Sequence, residues 1–190
     1  MRSFDFLITF LAFVYALALA HVLLAATHMI RHRRELIFDW AHALWMGAAL
    51  MLLWANWISL WDLHALGAFT LPTVATGFLY SILLYAVCAF VSPKLDGEDG
   101  MNMRLFHETQ SQTYIGAFVV LFAITLPVNY LGATDLSVAS WGSQNGIVIA
   151  MLLAATAPLF IRARWVQVGA PIALIALLVA YMLMFYWVLR

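Results

Sequence analysis

The chain has 190 residues, of which 66% are apolar and only 9% are charged, and its formal net charge is zero. A typical soluble domain is about half apolar and about a quarter charged, so this composition argues against a soluble fold and predicts an integral membrane protein. The zero net charge argues against a nucleic-acid-binding surface, and the single cysteine, Cys88, excludes an internal disulfide framework.

Six apolar stretches are each long enough to cross a hydrocarbon core, which takes roughly 20 residues of helix. Backbone polar groups have no partners in lipid, so we predict an all-α bundle that forms one transmembrane domain over 1–190. The first stretch begins like a signal peptide, but its length favours a retained membrane helix. Within the long connection 93–112, the part 101–112 is predicted to form a short interfacial helix. The six spans are predicted at 4–30, 38–61, 71–92, 113–132, 144–161 and 166–189.

Basic residues sort onto alternate connections. The first, third and fifth connections carry them, the second and fourth carry none, and only Arg2 and Arg190 lie at the ends. The positive-inside rule therefore predicts a bacterial-type inner-membrane protein with its odd-numbered connections in the cytoplasm and both termini on the periplasmic side. The basic residues of the odd-numbered connections are Arg31, Arg33, Arg34, Lys94, Arg104, Arg162 and Arg164.

The second predicted helix separates polar and aromatic side chains onto two faces. Its hydrogen-bonding groups recur at three- and four-residue steps, and this stripe should face the bundle interior because imidazole and amide groups lack partners in lipid. Trp40, Trp54 and Trp61 recur every seven residues on another stripe. Such rings are typical of interfacial anchors, and Trp54, the deepest, is also a candidate for stacking on a ligand. The polar stripe contains Asp39, His42, Met46, Ala49, Leu53 and Asn56.

Histidines at membrane depth are costly, and they indicate either function or pairing between helices. His21 and His28 share a face of the first helix, and the short connection that follows is expected to bring one of them close to His42. Three interpretations stay open. The histidines hydrogen-bond between helices, relay protons, or bind haem between two imidazoles or a metal ion.

The metal hypothesis would combine His28, Asp39 and His42, because carboxylate and imidazole ligands suit zinc, iron or manganese. His107 and Glu108 in the third connection are possible additional ligands. The same dipeptide is otherwise expected to lie in a solvated loop, since no recognised metal-binding motif surrounds it.

Polar side chains of the third predicted helix, Thr73, Thr76 and Tyr80, lie at three- and four-residue steps and either pack between helices or line a cavity. No catalytic motif occurs, so an enzyme is not favoured. With three spans in each half, an inverted repeat of the kind found in transporters is a further hypothesis. The sequence therefore predicts transport or permeation of a small molecule or ion along a polar-lined path between the first three helices. The residues assigned to this path or to its ligand are His21, His42, Trp54, Asn56, Thr73, Thr76 and Tyr80.

Two alternatives to transport remain. One is a membrane redox protein that holds haem or a metal ion, and the other is a non-catalytic subunit of a larger membrane complex. The expected partners are the lipid bilayer and either further copies of the chain or other subunits of a complex.

Overall fold

The computed structural model describes residues 3–61, 70–93, 102–131 and 138–187. Within these ranges the backbone forms six α-helices and no strand, apart from an isolated bridge between Ile37 and Asn102. The helices are α1 (Ser3–Arg31), α2 (Trp40–Ser59), α3 (Leu71–Val91), α4 (Met103–Leu131), α5 (Val138–Phe160) and α6 (Arg164–Tyr186).

Five of these helices, all except α5, are long and apolar enough to cross a membrane. In α5 the apolar part with described side chains, Asn145–Phe160, is shorter than a full span. The prediction of an all-helical membrane bundle is therefore confirmed. The boundaries predicted for the second and third helices lie within two residues of those of α2 and α3.

The helices do not pack simply in chain order. α1 contacts α2, as the short connection predicts, but it packs more extensively against α3. α2 lies at the centre of the bundle, where it contacts α1, α3, α4 and α6. An inverted repeat would make α4 pack against α6 as α1 packs against α3. Among the described residues, α4 and α6 make no comparable contact. The packing of the first three helices is therefore not repeated in the last three.

The two predicted faces of α2 are present. His42, Met46, Ala49 and Leu53 of the polar stripe are buried in the bundle. The tryptophan stripe is exposed on the outside of the bundle, where it would face lipid. The recurrence of polar residues at three- and four-residue steps thus correctly identified the side of α2 that faces the interior.

α4 begins ten residues earlier than predicted, at Met103 rather than at residue 113. The segment predicted as a short interfacial helix over 101–112 is helical from Met103, but it continues directly into the membrane span and is not a separate helix. Arg104 Nε donates to Glu108 Oε1 at 3.1 Å, one turn further along the helix. This ion pair supports a helical segment that hydropathy alone does not detect.

Asn102 caps this extended helix. Its Oδ1 accepts a hydrogen bond from the backbone N–H of Leu105 at 2.9 Å. We expect Asn102→Ala to lower the free energy of unfolding by about 1 kcal/mol, because one N–H of the first turn loses its acceptor. Asn102→Asp is the control, since aspartate caps helices equally well. Thermal unfolding of the purified variants measures both, and equal destabilisation by alanine and aspartate would contradict the assignment.

Candidate functional site

Three helices end and three others begin at one end of the bundle, which we call the arginine end. There α1, α3 and α5 finish and α2, α4 and α6 begin, and the backbone N–H of Met103 donates to the Ile37 carbonyl at 3.0 Å. Buried polar side chains from several helices converge just inside this end. The described arginines at this end are Arg31, Arg33, Arg34, Arg104, Arg162 and Arg164.

Asp39 joins the start of α2 to the start of α6. Its carboxylate is buried and accepts a hydrogen bond from the backbone N–H of Ala41 at 3.1 Å, which caps α2. The same carboxylate accepts two hydrogen bonds from Arg164, including one from Nη1 to Oδ2 at 3.5 Å. Arg164 is half exposed, so the pair places a buried anion against a cation that solvent reaches.

His42 joins α2 to the end of α3. Its Nε2 lies 2.8 Å from the carbonyl oxygen of Val91. A carbonyl can only accept, so Nε2 carries the proton and donates. This bond satisfies one of the carbonyls left free at the end of α3. In the neutral ring Nδ1 then holds a lone pair, and this buried atom has no hydrogen-bond partner among the described residues.

His107 and Tyr114 form a third buried pair, on α4. His107 Nδ1 and Tyr114 Oη are hydrogen-bonded across two turns of the helix. The Tyr114 ring contacts that of His42, with 6.1 Å between ring centroids, and the charges of Asp39 and Arg164 act on His107. The expectation that His107 lies in a solvated loop is wrong, because α4 begins early enough to bury it.

Two further buried atoms at this end lack partners in the part of the chain that the structure describes. They are Nε1 of Trp45, one turn from His42, and Oε1 of Gln167 on α6, and the Gln167 side chain lies near enough to His107 to interact with its imidazole. The amide nitrogen of Gln167 donates to the carbonyls of Pro158 and Ile161 at 2.8 and 3.1 Å, which satisfies the end of α5. The arginine-end cluster, as we name it, comprises Asp39, His42, Trp45, His107, Tyr114, Arg164 and Gln167.

A second polar group lies nearer the opposite end of the bundle. Tyr80 Oη and Thr125 Oγ1 are 3.1 Å apart, and Asn56 is a further polar neighbour of Tyr80. Asn56 also donates to the Leu52 carbonyl one turn back at 2.9 Å. Apolar side chains of the core, including the buried ring of Phe118, lie between the two groups. Asn56 and Tyr80, two residues assigned to the predicted path, are thus neighbours in this second group.

Other residues assigned to the predicted path lie apart from both groups. His21 is exposed on α1 and bonds Tyr85 of α3 rather than approaching His42. Thr73 shares a hydrogen bond with Thr70 at the start of α3, and Thr76 is half-buried one turn further on. The structure thus does not gather the seven predicted residues into one path between α1, α2 and α3.

Trp54 lies on the outside of the bundle beside a groove of about 510 Å³ between α1 and α2. The groove is lined almost entirely by apolar side chains, so it differs in character from the buried polar groups. Its lining includes Ala12, Tyr15, Ala16, Leu50, Trp54 and Trp57.

The predicted metal group does not form. His28 stacks on His32, with 4.3 Å between ring centroids, whereas Asp39 pairs with Arg164 and His42 bonds Val91. Across the described ranges, no three His, Cys, Asp or Glu side chains come close enough to hold a metal ion.

Haem binding between two imidazoles is not supported by the geometry either. The ring of His21 lies on the exposed side of α1, and its Nε2 is bonded to Tyr85. The ring of His42 is buried between helices, and its Nε2 is bonded to Val91. The two imidazoles therefore do not face each other across a common space.

Arg164, Tyr114 and Gln167 were not identified as site residues from the sequence. Tyr114 carries a usable signal, because it lies seven residues after His107 and both would share a face of a helix that began near residue 103. Arg164 and Gln167 carry no such signal, since their partners belong to other helices.

Comparison with protein-family models, with curated proteins and with solved structures gives no match for this chain. The functional argument therefore depends on the arrangement of its own residues.

Proposed function

We propose that the chain is a proton-linked transport protein of the inner membrane, with the arginine-end cluster as its proton-binding site. The arginine end faces the cytoplasm in this proposal, and both termini lie on the periplasmic side, in line with the positive-inside rule. The transported species is a small molecule or an ion.

The observation that carries the proposal is the unpartnered Nδ1 of His42. A buried polar atom without a partner costs free energy, and in native proteins such atoms call for a specific explanation. A lone pair on an imidazole nitrogen can accept a proton. Because Nε2 remains engaged with Val91, the ring keeps its orientation while Nδ1 gains or loses a proton.

Protonation of His42 would change the charge balance of the cluster. Asp39 acts electrostatically on His42 and at the same time accepts hydrogen bonds from Arg164. A second cation near this carboxylate competes with Arg164 for it and weakens the link between α2 and α6. Proton binding is thereby coupled to the packing of two helices that line the interior, which is the requirement for linked transport.

Proton flux into liposomes tests this proposal. The protein is reconstituted into liposomes that contain a pH-sensitive dye, and a potassium gradient with valinomycin drives proton entry. We expect His42→Gln to lower the flux by about tenfold, because the amide of glutamine can still donate to Val91 but cannot take up a proton. His28→Gln, at a histidine outside the cluster, should match the wild type.

Two results would count against the proposal. One is wild-type liposomes that retain the gradient as well as protein-free liposomes do. The other is undiminished flux through His42→Gln, provided that this variant elutes from size exclusion at the wild-type position.

A further inference from the structure

A polar pair lies on the outer surface of the bundle at the level of the bilayer centre. His21 of α1 is exposed, and its Nε2 lies 2.7 Å from Oη of Tyr85 on α3. The ring centroids are 5.3 Å apart in an edge-to-face arrangement. His21 lies ten residues before Arg31, which is about 15 Å along a helix and therefore about halfway through a 30 Å core.

The hydrogen-bonding capacity of this pair is only partly used. If Tyr85 donates to Nε2, the N–H at Nδ1 of His21 and an oxygen lone pair of Tyr85 remain. If Nε2 donates instead, the Tyr85 hydroxyl proton and the Nδ1 lone pair remain. In either tautomer the pair retains one donor and one acceptor, and acyl chains at this depth provide neither.

We propose that the exposed side of α1 and its seam with α3 form a homodimer interface, with a twofold axis passing close to His21. A surface with one free donor beside one free acceptor is complementary to a second copy of itself. Rotation by 180° places the donor of each copy against the acceptor of the other, so the two His21–Tyr85 pairs close a ring of four hydrogen bonds. A twofold interface uses the same surface on both subunits, as this arrangement requires.

The surrounding surface suits close helix packing. Ala20 is exposed on α1 next to His21, and a small residue at this position lets a second helix backbone approach in a membrane. Leu17 and Leu24 flank His21 on the exposed side and would provide apolar contact. We refer to Leu17, Ala20, His21 and Leu24 as the α1 outer face.

The occupant is therefore a second copy rather than an oxidised lipid-soluble quinone. An oxidised quinone ring offers carbonyl acceptors only, so it would leave the acceptor of the pair unused. A second copy satisfies both the donor and the acceptor.

Cysteine cross-linking in native membranes tests the interface. In a background where buried Cys88 is replaced by serine, Ala20→Cys should give a disulfide-linked dimer under mild oxidation. Leu153→Cys is the matched control, because Leu153 is exposed on α5 and is distant along the chain from the α1 outer face. The Leu153→Cys variant should remain monomeric under the same oxidation. Cross-linking of both variants to the same extent would overturn the proposal.

Subunit counting by photobleaching of the labelled chain in lipid bilayers gives an independent measurement. We expect dimers for the wild type, and a dissociation constant about tenfold higher for the double variant His21→Phe with Tyr85→Phe, because this variant loses both hydrogen bonds between the copies. Monomers throughout the accessible concentration range would overturn the proposal. So would a monomer that co-purifies with quinone and loses it on replacement of His21.

Discussion

Replacement of Arg164 with glutamine is expected to lower the free energy of unfolding by about 2 to 3 kcal/mol. The side chain of Asp39 is 0% exposed, so the loss of its partner leaves a buried carboxylate without compensation, which typically costs about 3 to 5 kcal/mol. Arg164 is 55% exposed, and the water around it reduces the effect toward the lower figure. The midpoint of thermal unfolding should fall by about 5 to 10 °C for a chain of this size.

Two variants make this result specific. Arg162→Gln removes a neighbouring exposed arginine with no described ion pair, and it should change stability by less than about 0.5 kcal/mol. The double variant Asp39→Asn with Arg164→Gln should recover most of the loss, because asparagine still caps α2 but carries no charge. Equal melting temperatures for Arg164→Gln and Arg162→Gln would contradict the assigned role of the pair.

The second large effect is expected at Trp45. Its ring is 0% exposed and contacts the rings of Tyr114 and Phe118 at 6.0 and 5.1 Å between centroids. Trp45→Ala leaves a cavity at the centre of the bundle and should cost about 3 to 5 kcal/mol. Trp54→Ala on the same helix should cost less than about 1 kcal/mol, because Trp54 is 52% exposed and lipid chains can fill the space it leaves.

Unfolding in bicelles or detergent measures both tryptophan variants. Trp45→Phe separates packing from hydrogen bonding, since it keeps an aromatic ring and removes an N–H that has no described partner. We expect this change to cost less than about 1.5 kcal/mol. A similar loss of stability for Trp45→Ala and Trp54→Ala would show that the ring of Trp45 is not a central packing element.

Hydropathy and helical periodicity were sufficient to predict an all-helical membrane bundle and the inner face of α2. They failed where a helix boundary depends on polar groups. The start of α4 is decided by the Asn102 cap and the Arg104–Glu108 pair, which a search for apolar stretches does not detect. The spacing of His21 and His28 correctly places them on one face, but spacing within a helix cannot say whether that face meets α2 or α3.

The candidate site was predicted only in part. Asp39 and His42 stood out because polar groups are rare in an apolar helix. Their partners Arg164 and Val91 are distant in the chain, and for Val91 the interacting group is a backbone carbonyl that every residue possesses. Partners of this kind are identified only when the packing of the helices is known.

The Asp39–Arg164 link also has a consequence for biosynthesis. The two residues are separated by 125 positions, so at about 5 to 20 residues per second the ribosome needs roughly 6 to 25 s to supply the cation after the acid has been made. Throughout that interval the nascent protein holds the Asp39 carboxylate without its arginine partner, and the charge is balanced only when α6 docks against α2. Docking of α6 is thus the step that completes this link.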